Sequence, residues 1–206
     1  MADRVEVIDK STPFQGYFRI DRYVLRHRRF DGEWTRPMTR EIFERGHAVG
    51  VLLYDPDRDV VGLIEQFRPG ALAAGWNPWV VEIVAGIIEE GETLDAVARR
   101  ESREEAGIEI GNLVPMLRYL VSPGGTTEST SLYCGRIDST KLDGVHGVPE
   151  ENEDIRVFTL TSDEAFAWVT DGRVCNGMGI IALQWLALNR ATLRERWISP
   201  ASAENP

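Results

Sequence analysis

The chain has 206 residues, 43% apolar and 27% charged, which suits one globular domain with a full core. A net charge of −10 argues against a general nucleic-acid binder. The charged opening Met-Ala-Asp-Arg and the lack of a long apolar run argue against a signal peptide or a membrane span. Residues 1–50 carry ten Lys/Arg against eight Asp/Glu, so the excess acid lies in the remainder. An acidic body of that kind would handle polyanions through metal ions, with direct contacts left to the basic N-terminal part. Cys134 and Cys175 lie far apart and form no metal or redox motif, so they read as two free, buried thiols of a cytoplasmic protein. His27, His47 and His146 show no metal spacing and read as structural.

Residues 16–29 alternate aromatic, aliphatic and basic side chains, a strand signature. After a turn at 30–33, residues 34–45 return as a second extended piece, giving an antiparallel hairpin. Residues 48–54 form a strongly apolar strand, 55–57 a turn, and 60–66 its partner. Arg68 stands where that strand exits, as either a surface arginine or a fork for phosphate and carboxylate. Residues 70–77 read as a loop, and 78–85 as a strand running straight into Gly86 with Glu82 as a polar brace inside it.

Residues 93–107 read as a helix, with Thr93 as N-cap, Asp95 in the positive first turn and Gly107 as a left-handed stop. At 100° per residue, Leu94, Val97, Ala98 and Ile108 share a face with Glu101, Glu104 and Glu105, while Arg99, Arg100 and Arg103 point elsewhere. Two such carboxylates about 6 Å apart repel by about 3 kcal/mol at an effective dielectric near 20. One arginine does not easily satisfy three acids, whereas hard divalent cations do. The alternative is a solvated acidic face, and the phase shared with apolar residues argues against it.

Residues 113–121 read as a strand that buries Met116, Tyr119 and Leu120. Ser122 to Glu128 suits a type II turn, in which two glycines also let backbone approach a ligand. A strand at 129–137 holds Cys134, and 138–149 is a loop. Residues 150–154 carry four acids in five positions, ordinarily a solvated loop, before a strand at 155–160. A capping-box start at 161–164 opens a helix to Thr170. A longer helix at 178–197 has Ile180, Ile181, Leu183, Leu186 and Leu188 as its apolar set, and 198–206 is a frayed tail. The pattern is α+β.

The stretch 86–108 resembles the Nudix box, G-x5-E-x7-R-E-U-x-E-E-x-G-U with U aliphatic. Gly86, Glu92, Arg100, Glu101, Glu104, Glu105, Gly107 and Ile108 fill its fixed positions. Ser102 departs from the pattern, standing where the family prefers an aliphatic residue, and its small size implies a slight packing effect. Residues 40–47, the E-Q-x-R segment at 65–68, residues 122–128 and the E-N-E-D loop at 151–154 further resemble the ADP-ribose pyrophosphatase branch. The resemblance implies a Nudix fold, an α/β/α sandwich with a mixed sheet over residues 46–206. It also implies an N-terminal antiparallel β segment over 1–45 that supports a homodimer and part of the substrate pocket.

It implies as well a magnesium-dependent hydrolysis of ADP-ribose to AMP and ribose 5-phosphate, with manganese as a possible substitute. Metal would fall to the Ala85 carbonyl, Glu101, Glu104, Glu105 and Glu153, and the general base to Glu151, with Glu153 the neighbour that could replace it. Glu92 and Arg100 would pair structurally. Substrate would meet Tyr17, Phe18, Arg40, Glu41, Arg45, Arg68, Ser122, Pro123, Gly124 and Glu128, and Ile87 would touch substrate bound by the other subunit. Neither nucleic acid nor membrane is an expected partner. The alternatives are another nucleotide sugar such as GDP-mannose, or a sensor that binds ADP-ribose without cleaving it.

Overall fold

The computed structural model of the protein describes residues 3–198, so the expected tail lies outside the described residues apart from Ile198. The chain forms two units, residues 3–47 with 119–129, and residues 48–118 with 130–198. Among the described residues no helix is long and apolar enough to cross a membrane.

The first unit is a three-stranded antiparallel sheet, β1 (Val5–Gln15), β2 (Arg19–His27) and β3 (Met38–Glu44), in that order. The expected hairpin is the β2–β3 pair. Strand β1 was not legible because register shifts at Val7/Asp9 and Ser11/Phe14 break its period, and it is exposed along nearly its whole length. Asp21 on β2 is buried, and Lys10 Nζ at 2.9 Å, Arg19 Nε at 3.0 Å and Thr12 Oγ1 at 2.8 Å meet its carboxylate. The 122–128 segment is tied to β3: Phe43 N donates to Gly125 O at 2.8 Å. Neither Gly124 nor Gly125 has a positive φ, so the turn is not type II. Ser122 O instead accepts from both Gly125 N and Thr126 N at 3.0 Å, a helical-type closure.

The second unit is built on β4 (Ala48–Asp55), every residue of which is buried. Strand β5 (Val60–Phe67) follows, then a short helix α1 (Pro69–Ala73) where a loop was expected. The strand expected over 78–85 is two strands, β6 (Trp79–Glu82) on β5 and β7 (Val84–Ile87) on β4. The break at Ile83 exists because β4 and β5 pair only at 53–55 with 60–62, leaving a gap whose two edges one chain can bridge in turn.

Helix α2 (Leu94–Ala106) comes next, then β8 (Leu113–Leu120), β9 (Ser129–Arg136), β10 (Val145–His146), β11 (Ile155–Thr161), α3 (Ser162–Thr170) and α4 (Gly177–Ile198). The sheet order is β10-β11-β5-β4-β9-β8, with β4 and β9 parallel, so the sheet is mixed. Val49, Val51 and Leu53 of β4 join Val97, Ala98, Ala106 and Ile108 in one core, on the α2 side. Helix α4 packs on β4 and β6, and α3 on β5 and β11. This is the α/β/α sandwich expected.

Several burial expectations fail where a strand or helix edge faces outward. Met116 and Tyr119 are half-buried and Leu120 is exposed. Leu188 on α4 is 86% exposed, although Leu183 and Leu186 are in the core. Cys134 is buried but Cys175, in the turn before α4, is exposed, and both are free. The three histidines have structural partners, as expected: His47 with Ser129, His146 with Asp143 O, and His27 with Arg28 O.

Candidate active site

Helix α2 is the element that presents the acids. Thr93 accepts from Ala96 N, and Gly107 adopts φ 60°, so the helix is fixed at both ends as its sequence dictates. Ser102 is fully buried, and its hydroxyl donates to Ala98 O at 2.7 Å, which lets a polar residue stand in an apolar slot. Glu105 is 4% exposed and inside the core face. Its Oε2 accepts from Ala85 N at 2.9 Å, and Gln66 Nε2 lies 3.4 Å from Oε1. The carboxylate therefore stands at the backbone of β7 beside Ala85, the residue expected to offer a carbonyl to metal.

Glu101 reaches the same strand one residue on. A Cβ placed on Gly86 would fall 1.6 Å from Glu101 Oε1 and 1.9 Å from its Cδ. Position 86 is glycine because the carboxylate of Glu101 occupies the space a side chain would need. The two box residues, 15 apart in sequence, are one geometric unit.

Arg100 lies across the acids, contrary to the expectation that it points elsewhere. Its Nε and Nη2 grip Glu92 at 3.0 Å each, the expected structural pair. Its Nη1 also donates to Glu101 at 2.6 Å and to Glu104 at 3.0 Å. A helical wheel fixes only the Cβ direction, and a guanidinium on a long stem can swing back over the neighbouring face. One arginine thus bridges three acids, and the one it does not reach is Glu105.

The electrostatics follow from that arrangement. Burial pushes the Glu105 carboxyl up to about 8, the Ala85 amide opposes this, and the charges of Glu101 and Glu153 add to it. Burial likewise raises Glu101, against the pull of Arg100, with Glu104 and Glu153 pushing upward. Glu92 is held low, first by Arg100 and then by the Glu89 amide. Glu153, half-buried, is thus within electrostatic reach of both Glu101 and Glu105, and its Oε2 accepts from Val148 N at 3.0 Å. Glu151 is exposed in a short turn that ends at Asn152 in the left-handed region.

Among the described residues no three Asp, Glu, His or Cys side chains converge as a ready-made metal cage. The donor set nevertheless fits a hard divalent cation. It holds a buried carboxyl, Glu105, and a part-buried one, Glu101, whose charged forms are disfavoured, and Glu105 has no basic side chain bonded to it. Arg68 donates from Nε to Glu82 Oε2 at 2.6 Å, so Glu82 braces this arginine rather than the loop after it. The Arg68 charge acts on Glu105, which places it near the acids. Ile87 is half-buried, and its carbonyl lies 3.4 Å from Arg100 Nη2. The contact from Gln66 was not foreseen; the signal was a polar residue at a buried position of a core strand, six residues after its apolar start at Val60.

In the first unit, Tyr17 is 88% exposed and rests edge-on against Phe18, which in turn meets Phe43. Arg45 lies over the Phe18 ring and pairs with buried Glu128 at 3.0 Å. Tyr17, Phe18, Arg45 and Glu128 are thus brought together. The Ser122-Pro123-Gly124 turn joins them through Phe43, and the space around Gly124 is open. Arg40 and Glu41 are exposed on β3, with Arg40 Nη1 donating to Thr39 O. A cleft of about 420 Å³ in the second unit, lined by Asp55, Asp57, Arg58, Arg136 and Lys141 among others, includes none of the expected site residues. Its Arg136 and Lys141 are already paired with Asp57 and Asp138.

Comparison with known proteins bears on the same residues. A family model described as the NUDIX domain matches residues 44–202. The chain is 47% identical over 193 residues to the ADP-ribose pyrophosphatase of Escherichia coli, covering 94% of this chain and 92% of that one. Identity to the ADP-ribose pyrophosphatase of Haemophilus influenzae is 41%, covering 94% and 90%. The GDP-mannose pyrophosphatase of Pectobacterium atrosepticum is 30% identical, covering 89% and 94%. A solved structure described as an ADP compounds hydrolase superposes with a TM-score of 0.72 at 16% identity, over 93% of this chain and 97% of that one. It bears on the fold alone.

Proposed function

The chain belongs to the NUDIX domain family, and on that premise we propose that it hydrolyses the diphosphate of ADP-ribose to AMP and ribose 5-phosphate with the help of divalent magnesium. The observation that carries the reading is Glu105. It is a carboxyl nine-tenths buried, raised by burial, bonded to the backbone beside Gly86 and left without a cation by the arginine that neutralises its neighbours. A protein keeps such a group where a bound cation offsets its desolvation. The substrate is argued from the relatives: those named ADP-ribose pyrophosphatase stand at 47% and 41% identity, the GDP-mannose enzyme at 30%.

Glu101, Glu105, the Ala85 carbonyl, Glu104 and Glu153 would hold the metal. When bound, magnesium supplies positive charge against the diphosphate oxygens and makes water more acidic. The chain's own residues do the rest. Glu151, exposed on its loop, accepts the proton of the attacking water, and Glu153 is the neighbour that could replace it. Arg68, held by Glu82, offers its remaining guanidinium nitrogens to a phosphate. Arg100, clamped on Glu92, keeps Glu101 from turning away when metal is absent. Tyr17 and Phe18 present ring faces for a base, and Arg45 with Glu128 fixes the rim beneath them. The family's homodimer and a cytoplasmic setting belong to the same proposal.

The test is a panel of nucleoside diphosphate compounds with magnesium or manganese in heavy-oxygen water. ADP-ribose turned over faster than GDP-mannose, with label on one product phosphate, supports the reading. Faster GDP-mannose cleavage transfers it to that substrate. Tight binding of ADP-ribose without release of AMP replaces the enzyme by a sensor.

A further inference from the structure

The loop that carries Glu151 and Glu153 runs from 147 to 154, between β10 and β11, and the structure fastens its neck to the end of α2. Helix α2 closes with Gly107 N bonded to Arg103 O and Ile108 N to Ser102 O. The carbonyl of Glu104 would ordinarily take the amide of Ile108, which the cap has diverted. Gly147 N fills that place, donating to Glu104 O at 3.0 Å.

A second contact stands beside it. The His146 imidazole lies over the Cα of Gly107: a Cβ built there would come within 2.3 Å of His146 Cε1 and 2.7 Å of Nδ1. The ring is held in that orientation by its Nε2–H, which donates to Asp143 O at 2.7 Å, since a carbonyl can only accept. A third contact lies inside the neck, where Val148 N donates to Glu153 Oε2 and Glu153 N lies 3.3 Å from Val148 O. His146 pairs with Ile155 across the β10–β11 ladder, so a shift of its ring is passed to both ends of the loop.

We propose that His146 is a positioning residue. By seating its ring on Gly107 it fixes the neck of the 147–154 loop against the C-terminus of α2, and so sets Glu151 and Glu153 relative to Glu101 and Glu105. The glycine of the box at position 107 then has two reasons to be glycine. One is its left-handed φ of 60°; the other is the ring above it. This inference rests on the reading of the loop as part of the hydrolytic site. The docking itself does not depend on that reading.

The experiment compares wild type, His146→Ala, His146→Phe and Gly107→Ala, with Glu105→Gln as the control for the reaction. Each is measured for kcat and KM on ADP-ribose with magnesium, and for amide hydrogen exchange without metal at Gly147 and Val148. For His146→Ala we expect kcat to fall by about 10- to 100-fold, as a shift of about 1 Å in a catalytic group does, with KM near wild type and faster exchange at both amides. His146→Phe keeps a ring over Gly107 but loses the bond to Asp143 O, and should recover part of kcat. Gly107→Ala forces the ring away and should reproduce the loss of His146→Ala. Wild-type kcat in His146→Ala, or exchange at Gly147 and Val148 unchanged by it, overturns the proposal. So does exchange that rises equally over the whole sheet, which is a loss of stability and not of position. If His146→Ala does not fold, His146→Phe decides: loss of kcat with protection of both amides retained overturns it. If wild type cleaves no ADP-ribose, the functional reading fails, and the exchange measurements alone judge the docking.

Discussion

Removing metal should turn Glu105 from an asset into a load, and pH should reveal it. The carboxyl has an unfolded value near 4.5 and is raised to about 8 in the folded chain. Folding therefore favours its protonated form. Between these two values the native state binds more protons than the unfolded state, so stability falls as pH rises. The contribution is harmless below the unfolded value and reaches its full cost above the folded one. At about 1.4 kcal/mol per unit, raising metal-free protein from about pH 6 to about pH 9 should cost on the order of 2–3 kcal/mol from this cluster. For a chain of this length that is a fall of roughly 5–10 °C in Tm.

Glu105→Gln keeps the shape and the acceptor for Ala85 N but cannot ionise. The metal-free variant should match or exceed wild type at about pH 9 and lose the excess dependence on pH. With magnesium the order reverses: wild type gains Tm through binding, the variant gains little, and its turnover nearly vanishes. Thermal melts of chelator-treated protein across that range, with and without magnesium, check this. A variant less stable than wild type at about pH 9, or one that keeps wild-type turnover, refutes the reasoning.

Other expectations follow from single contacts. Gly86→Ala puts a methyl where the Glu101 carboxylate lies, so metal-supported kcat should drop by about 100-fold with Tm almost unchanged, as kinetics and melting would show. Arg100→Lys loses the two-pronged grip on Glu92 and should cost about 1–3 kcal/mol in denaturant titrations, with a weaker response to magnesium as Glu101 is freed. Glu151→Gln should lower kcat far more than KM, whereas Glu153→Gln should raise the magnesium needed for half-maximal rate; the reverse pattern would exchange the two roles. Thr161→Ala removes the capping box of α3 and should cost about 1 kcal/mol without touching kcat.

The order of elements and the site helix were legible in the amino-acid sequence because both rest on local physics. Thr93 and Gly107 cap α2 through their own side chain and their own φ, and the apolar runs of β4 and β5 need no partner to be recognised. The phase of the box glutamates pointed to a cation on that face, and their resemblance to the Nudix box implied the metal-dependent chemistry. What sequence could not decide was anything that depends on a partner distant in the chain. Strand β1 has no periodic burial to read, and β6 and β7 part because two edges await them. Arg100 turned back over the acids because its stem is long. Gly86 could be recognised only as a box position and Gly107 only as a box position and left-handed stop; tertiary structure supplied the reason for the first, a carboxylate fifteen residues on, and a second reason for the other, an imidazole from another strand. Those contacts depend on which backbone brings distant atoms within 3 Å, and a linear pattern carries no such distance.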